Sequence, residues 1–311
     1  MNQKVLTRDT PQSIPMEKYN QGWFKDRAFK SLRKISEGVW DYSDSLLIYT
    51  SSGAEVYEQL QEVDTPYFKL VTKPEHEYLQ SVARDIANML PDNFHYIDLG
   101  PGTEHKEQFL FDELKKQGKM FTYIPVDISD RFLDIAESHA LKQGIQVAKM
   151  KSSFEELPEL LANLPIPRFV SLGLTFSNYA AQDILELLKN IAGKDSYIFI
   201  NAQMRDRVDM IELQKVYQDD ATHLVDDKVK LIGLDPVHDI TPRLVDDGFQ
   251  ASCFVLKSNK TLEDLGIKNG DKLIVFQSVR YTKDSLEVEL HNFDHVSFDT
   301  GGSFIGTIIK T

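Results

Sequence analysis

The clearest pattern lies in residues 73–90, KPEHEYLQSVARDIANML, where Leu79, Val82, Ile86 and Leu90 recur at helical spacing as one apolar stripe. This predicts an amphipathic helix, and Pro74 suits its first turn. Short apolar runs then alternate with amphipathic stretches. Strands are predicted at 94–100, 121–129, 145–153, 167–174 and 195–203, with helices at 106–118, 130–144, 154–164 and 181–193. Alternation at this spacing implies βαβ units and an α/β fold with a mostly parallel, doubly wound sheet.

The pattern breaks on both sides. Residues 1–20 are polar, carry Pro11 and Pro15, and read as a flexible tail. Residues 21–72 mix charges with aromatics and read as helical with irregular connections. The acid-rich stretch 207–233 reads as helices, and 248–258, 271–282 and 303–310 read as strands. Together these predict an insertion followed by a closing antiparallel edge.

Composition adds limits. The chain is 41% hydrophobic and 27% charged, enough apolar material for a packed core. A net charge of −13 argues against non-specific nucleic-acid binding, which needs a basic face. No apolar run approaches the roughly 18 residues of a membrane span, and the first residues lack the apolar stretch of a secretory signal. The single cysteine, Cys253, has no internal disulfide partner, which suits a reducing, cytoplasmic setting; core packing is its simplest role.

Candidate chemistry centres on HYIDLGPGTEHKEQF (95–109), an apolar strand running through a glycine turn into a helix. A phosphate loop needs Gly-Lys-Ser/Thr, which is absent. A dinucleotide fingerprint needs a third glycine where this chain has His105. What remains is the acid-x-Gly-x-Gly turn of S-adenosyl-L-methionine (SAM) sites. Gly100 and Gly102 let the backbone approach a ligand, and Thr103 belongs to the same turn. Asp98 can set the turn or meet the ligand ammonium, and Lys106 can reach its carboxylate. Asp127 closes the next strand in PVDIS and can accept both hydroxyls of a ribose. Ser153 can bond an adenine edge and Phe154 can flank its face. The plain alternative is an ordinary α/β fold in which these glycines only turn the chain and Asp127 caps a helix. HNFDH (291–295) reads as a polar surface loop and PEHEYL (74–79) as a solvated first helical turn, so no metal site is expected.

These motifs resemble the histidine-specific Nα-methyltransferase family of ergothioneine biosynthesis, which uses SAM. The glycine turn with its lysine, PVDIS (125–129), LGLTFSN (172–178), YTSSGAEVYEQLQEVDTPYF (49–68) and VYQDD (216–220) each match a family signature, and the resemblance covers most of the chain. It implies a Rossmann-like class I SAM methyltransferase core, 73–207 plus 285–311. It also implies a second, α+β substrate-binding domain, 21–72 plus 208–284. Gly100, Lys106 and Asp127 would hold SAM, with Ser153, Phe154 and Gly173 around the adenosine. Tyr49, Tyr67, Asn178 and Tyr217 would line the acceptor pocket, Asn178 and Tyr217 holding a substrate carboxylate.

The chain departs from the family at the imidazole reader, a Glu-x-Ser pair. Aligned on VFQSVRY, the serine is Ser278 but the glutamate is Phe276. Phe276 accepts no imidazole N–H, so the implied acceptor is the amine of a small amino acid or amino-acid-derived molecule other than histidine, as in the tryptophan-derived alkaloid branch. Tyr49 and Tyr217 are the candidates for orienting that amine during methyl transfer. Two other readings stand beside this one: a SAM-binding regulatory or partner protein with reduced catalysis, and an NAD-type oxidoreductase, disfavoured by His105. A monomer or homodimer acting on a small molecule, without nucleic acid or membrane, is expected.

Overall fold

The structure is a computed structural model, and the residues it describes are 18–103, 105–245 and 250–311. Helix α1 (Gln21–Ser31) leads into strands β1 (Arg33–Ser36) and β2 (Val39–Asp41), then α2 (Ser51–Leu60) and α3 (Lys73–Met89). The alternating region holds β3 (Asn93–Leu99), α4 (Gln108–Lys116), β4 (Met120–Asp127), α5 (Asp130–Lys142), β5 (Gln146–Val147), β6 (Met150–Lys151), α6 (Leu157–Leu160), β7 (Arg168–Gly173), α7 (Ala181–Ala192) and β8 (Tyr197–Gln203). Helices α8 (Met210–Val216) and α9 (Asp226–Leu231) follow, then β9 (Ile240–Val245), β10 (Gln250–Ser258), β11 (Lys272–Val279), α10 (Lys283–Leu290), β12 (Asp294–Asp299) and β13 (Phe304–Lys310).

The alternating region forms an 8-stranded sheet of order β12-β13-β8-β7-β3-β4-β5, with β6 also on β4. Strands β3 to β8 pair in parallel, and β13 runs antiparallel against β8 and β12. One face packs α6, α7 and α10 through residues such as Leu157, Leu188 and Leu286. The other packs α3, α4 and α5 through Val82, Phe111 and Ala136. The chain leaves β3 toward β4 and later returns to its other side at β7. This reversal opens a crevice at the carboxyl ends of both strands, where open α/β sheets hold ligands.

A second sheet of five strands, β1-β2-β11-β10-β9, joins the first segment of the chain to its later insertion. Their shared core includes Trp40, Leu47, Tyr67, Leu213, Val229 and Val275. The structure corrects the reading of residues 21–72 as helical. RKIS and VWD form a hairpin in which Lys34 faces Trp40, and Gly38 turns it at a φ of 70°. The two-residue Glu37-Gly38 connection, with Ile35 before it and Val39 after it, carried that signal. The predicted strand 145–153 is two short pieces on β4.

Two further expectations change. The part of the predicted tail at 18–20 is packed: Tyr19 is buried, donates to Glu156 at 2.9 Å and accepts from the Ser153 N–H at 2.9 Å. Residues 1–17 lie outside the described residues. HNFDH is not a free loop, because Asp294 and His295 open β12, and His295 Nε2 lies 3.0 Å from Glu287. The backbone of Cys253 pairs with Gln277 and Val245 on β10, while its side chain lies outside the described residues. No helix among the described residues is long and apolar enough to cross a membrane.

Candidate active site

The turn after β3 passes its backbone across the crevice. Gly100 and Gly102 both have φ of 67°, a region that costs L-residues about 1–2 kcal/mol. A Cβ at Gly100 would meet Phe154 at 3.8 Å and Thr175 at 3.9 Å, inside the cleft itself. Gly100→Ala is therefore expected to lower thermal stability and weaken cofactor binding about tenfold, read by thermal unfolding and S-adenosylhomocysteine titration. Unchanged affinity would mean that the turn does not touch the ligand.

One cleft is walled by Gly100, Gly102, Lys106, Asp127, Phe132 and Phe154, with Tyr49, Tyr57, Thr175 and Tyr179 also in its lining. Asp127 sits at the tip of β4, half-buried, and its Oδ1 accepts the Ser129 N–H at 2.8 Å. Loss of hydration pushes its pKa up to about 7, against hydrogen bonds from the Ser129 and Ile128 amides that lower it. A ribose diol donates to the ionised carboxylate, so a bound nucleoside would favour ionisation. Cofactor affinity should then fall as pH drops from about 8 to about 6, because protonation removes the acceptor. Titration of S-adenosylhomocysteine across that window checks the sign, and affinity rising toward acid would contradict it.

A second cleft adjoins the first. Tyr49, Tyr67, Asn178, Tyr217, Phe276 and Ser278 all line it. These residues come from five separate segments, brought together where the second core meets the crevice. Its walls are aromatic: Tyr67 meets Tyr217 edge-on at 5.9 Å, and Tyr217 stacks on Phe276 at 6.4 Å. Tyr49, Tyr57 and Phe132 form a further edge-to-face group at the junction of the two clefts. Behind this pocket lies Arg280, fully buried. Its guanidinium donates to Ser278 Oγ, to the Tyr217 hydroxyl at 2.9 Å and to Gln203 Oε1 at 3.0 Å. Each hydroxyl accepts from the cation and so keeps its own proton to donate.

Other predicted residues stand elsewhere. Asp98 does not line the first cleft. Strand alternation puts it on the face of Phe94 and Tyr96, where it accepts the Tyr123 hydroxyl at 2.7 Å. Asp98 and Gly173 line an adjoining cavity that shares Gly100 and Lys106 with the first cleft. Ser153 is buried and outside the cleft lining, and Thr103 is not in that lining either. Lys106 lies 3.3 Å from Glu75, which is 3% exposed and also holds Asn201 Nδ2 at 2.9 Å. Glu75 thus corrects the reading of PEHEYL as solvated. The chain enters α3 directly from a preceding helical turn at Phe68–Thr72, so the first turn of α3 packs beneath the glycine loop. Glu75, Tyr57, Phe132 and Arg280 escaped the sequence reading.

A family described as histidine-specific, SAM-dependent methyltransferases matches residues 28–225. The chain belongs to this family. SAM is therefore its cofactor, and the first cleft presents the glycine turn and the Asp127 carboxylate. Among curated relatives, histidine N-alpha-methyltransferase of Mycobacterium tuberculosis is 26% identical over 153 residues, covering 47% of this chain and 44% of that protein. The N-methyltransferase dtpB of Aspergillus flavus is 31% identical over 153 residues, covering 48% and 39%. The chain spans less than half the length of these relatives. A SAM-dependent methyltransferase from Clostridium acetobutylicum is similar in structure, with 17% identity, a TM-score of 0.38, and coverage of 83% of this chain and 97% of that one.

Proposed function

We propose that this family member transfers the methyl group of SAM to the amine of a small amino acid or amino-acid-derived molecule other than histidine. The observation that carries the proposal is the junction of the clefts: Tyr49, Tyr57, Lys106 and Thr175 line both, so a group on one ligand can meet the other. The ribose would lie on Asp127, and the methionine end would run past Gly100 toward Lys106. The 21–72 and 208–284 segments would form the acceptor-binding domain over the SAM core, in a reducing, cytoplasmic setting.

Methyl transfer is an in-line displacement at the sulfonium carbon. The N–C bond forms as the S–C bond breaks, and positive charge moves from sulfur to nitrogen. The protein's work is alignment and exclusion of water. The aromatic walls suit a nitrogen becoming cationic, because ring faces attract ammonium groups. The hydroxyls of Tyr217 and Ser278, each with a proton to donate, suit an acceptor bearing a carboxylate. Phe276 offers no partner to a ring N–H, which disfavours histidine.

Tyr217→Phe should slow methyl transfer about tenfold, the worth of one hydrogen bond, and leave S-adenosylhomocysteine affinity unchanged. Loss of cofactor binding in that variant would remove Tyr217 from the acceptor side. The general test is isotope-labelled SAM incubated with the protein and a metabolite extract, read by mass spectrometry. A labelled amine carrying one or more added methyl groups supports the proposal. Cofactor binding without any labelled product would favour a regulatory SAM-binding protein.

A further inference from the structure

We propose that His105, Glu107 and His139 form a binding site for a divalent transition-metal ion of the zinc type, on the outer side of the glycine turn. The three contribute ligand atoms that all lie within 4.8 Å of one another. Glu107 Oε1 is 2.8 Å from His139 Nδ1 and 3.9 Å from His105 Nδ1. These separations bracket the spacing of neighbouring ligands around an ion with bonds of about 2.0–2.2 Å. Modest rotations of the rings and the carboxylate would bring all three onto one ion. Two imidazoles and one carboxylate make a donor set that suits zinc, and neighbouring metals of its series bind such sets too.

Three features set this cluster apart from a chance surface grouping. Glu107 is 6% exposed, so its carboxylate is held out of water with histidine rings beside it. A cation there offsets the cost of that burial. The rings of His105 and His139 stack with centroids 4.0 Å apart. Gln143 Nε2 donates to His139 Nε2 at 3.1 Å and holds that ring with Nδ1 toward Glu107, so an ion bound at Nδ1 would replace the proton that now faces the carboxylate. The hollow outside is open and lined by Arg131, Asp134, Ser138 and Lys142, which gives an ion a path in and leaves room for a water as fourth ligand.

The site does not depend on the methyl-transfer reading, but it touches the same machinery. His105 holds a φ of 53° on the turn, and Lys106, between two of the ligands, lines the cofactor cleft. A bound ion would fix the backbone on both sides of that lysine.

The test is zinc titrated by calorimetry into the full chain after removal of adventitious metal. One ion per chain is expected. His139→Gln and Glu107→Gln should each weaken binding at least about tenfold, whereas His291→Ala, at an exposed histidine elsewhere, should bind as the parent does. Cobalt provides a second reading that does not depend on affinity: the parent should show visible ligand-field bands that Glu107→Gln lacks. Equal, weak binding by the parent and both variants, or identical cobalt spectra, would overturn the proposal. Far-UV dichroism of each variant separates lost binding from lost folding.

Discussion

Asp127→Ala is expected to weaken S-adenosylhomocysteine binding at least about 100-fold while the fold persists. In the proposed binding mode the carboxylate would accept both ribose hydroxyls, and hydrogen bonds to a charged group contribute about 1.5–3 kcal/mol each. The pair is therefore worth about 3–6 kcal/mol, and each 1.4 kcal/mol is about tenfold in affinity. The lower end applies because burial already disfavours the charged form of Asp127 in the free protein. The substitution also removes the acceptor for the Ser129 N–H at the start of α5, a loss of about 1 kcal/mol in stability. Calorimetric titration with far-UV dichroism separates the two effects. A change below about threefold would place the sugar elsewhere.

Arg280→Met should abolish most methyl transfer, with kcat/KM down about 100-fold or more, while cofactor affinity stays near that of the parent. Methionine keeps most of the volume and removes the three-pronged donor to Ser278, Tyr217 and Gln203. The two hydroxyls then lose the cation that fixes their direction, and an acceptor carboxylate bound there as proposed would lose the positive field behind it, about 3 kcal/mol together. Stability need not suffer, because replacing a buried charge by an apolar side chain of similar size is often neutral or better. Arg280→Lys should rescue little, since an ammonium cannot reproduce the planar fork. Activity is measured on whichever amine the labelled-SAM screen identifies. A variant within about threefold of the parent, or one that loses cofactor binding instead, would contradict this role.

What could be read from the chain follows the range of the physics involved. The βαβ alternation rests on local periodicity, and strands β3, β4, β7 and β8 appear within a few residues of their predicted places. The glycine turn announces itself because positive φ selects glycine at Gly100 and Gly102. The second cleft is different. Tyr49 and Ser278 are distant in sequence, and only the likeness to a known family brought them together beforehand. Nothing local marks Glu75 as buried or Arg280 as the hub of the pocket's hydroxyls, because Glu75 is enclosed by Asn201 on β8 and by Lys106, and Arg280 reaches from the end of β11 to Gln203 and Tyr217. Asp98 lines the adjoining cavity rather than the first cleft, because alternation along β3 turns it toward Tyr96 and Tyr123. His139 is likewise invisible beside His105 until α5 packs against the start of α4.

The most direct test of the account is a crystal structure of the full chain with S-adenosylhomocysteine. Both ribose hydroxyls are expected on the Asp127 carboxylate, with the adenine beside Phe154 and the homocysteine end against Gly100 and Lys106, its sulfur turned toward Tyr49. A ligand lodged elsewhere, or a crevice that stays shut while binding is demonstrated in solution, would contradict it.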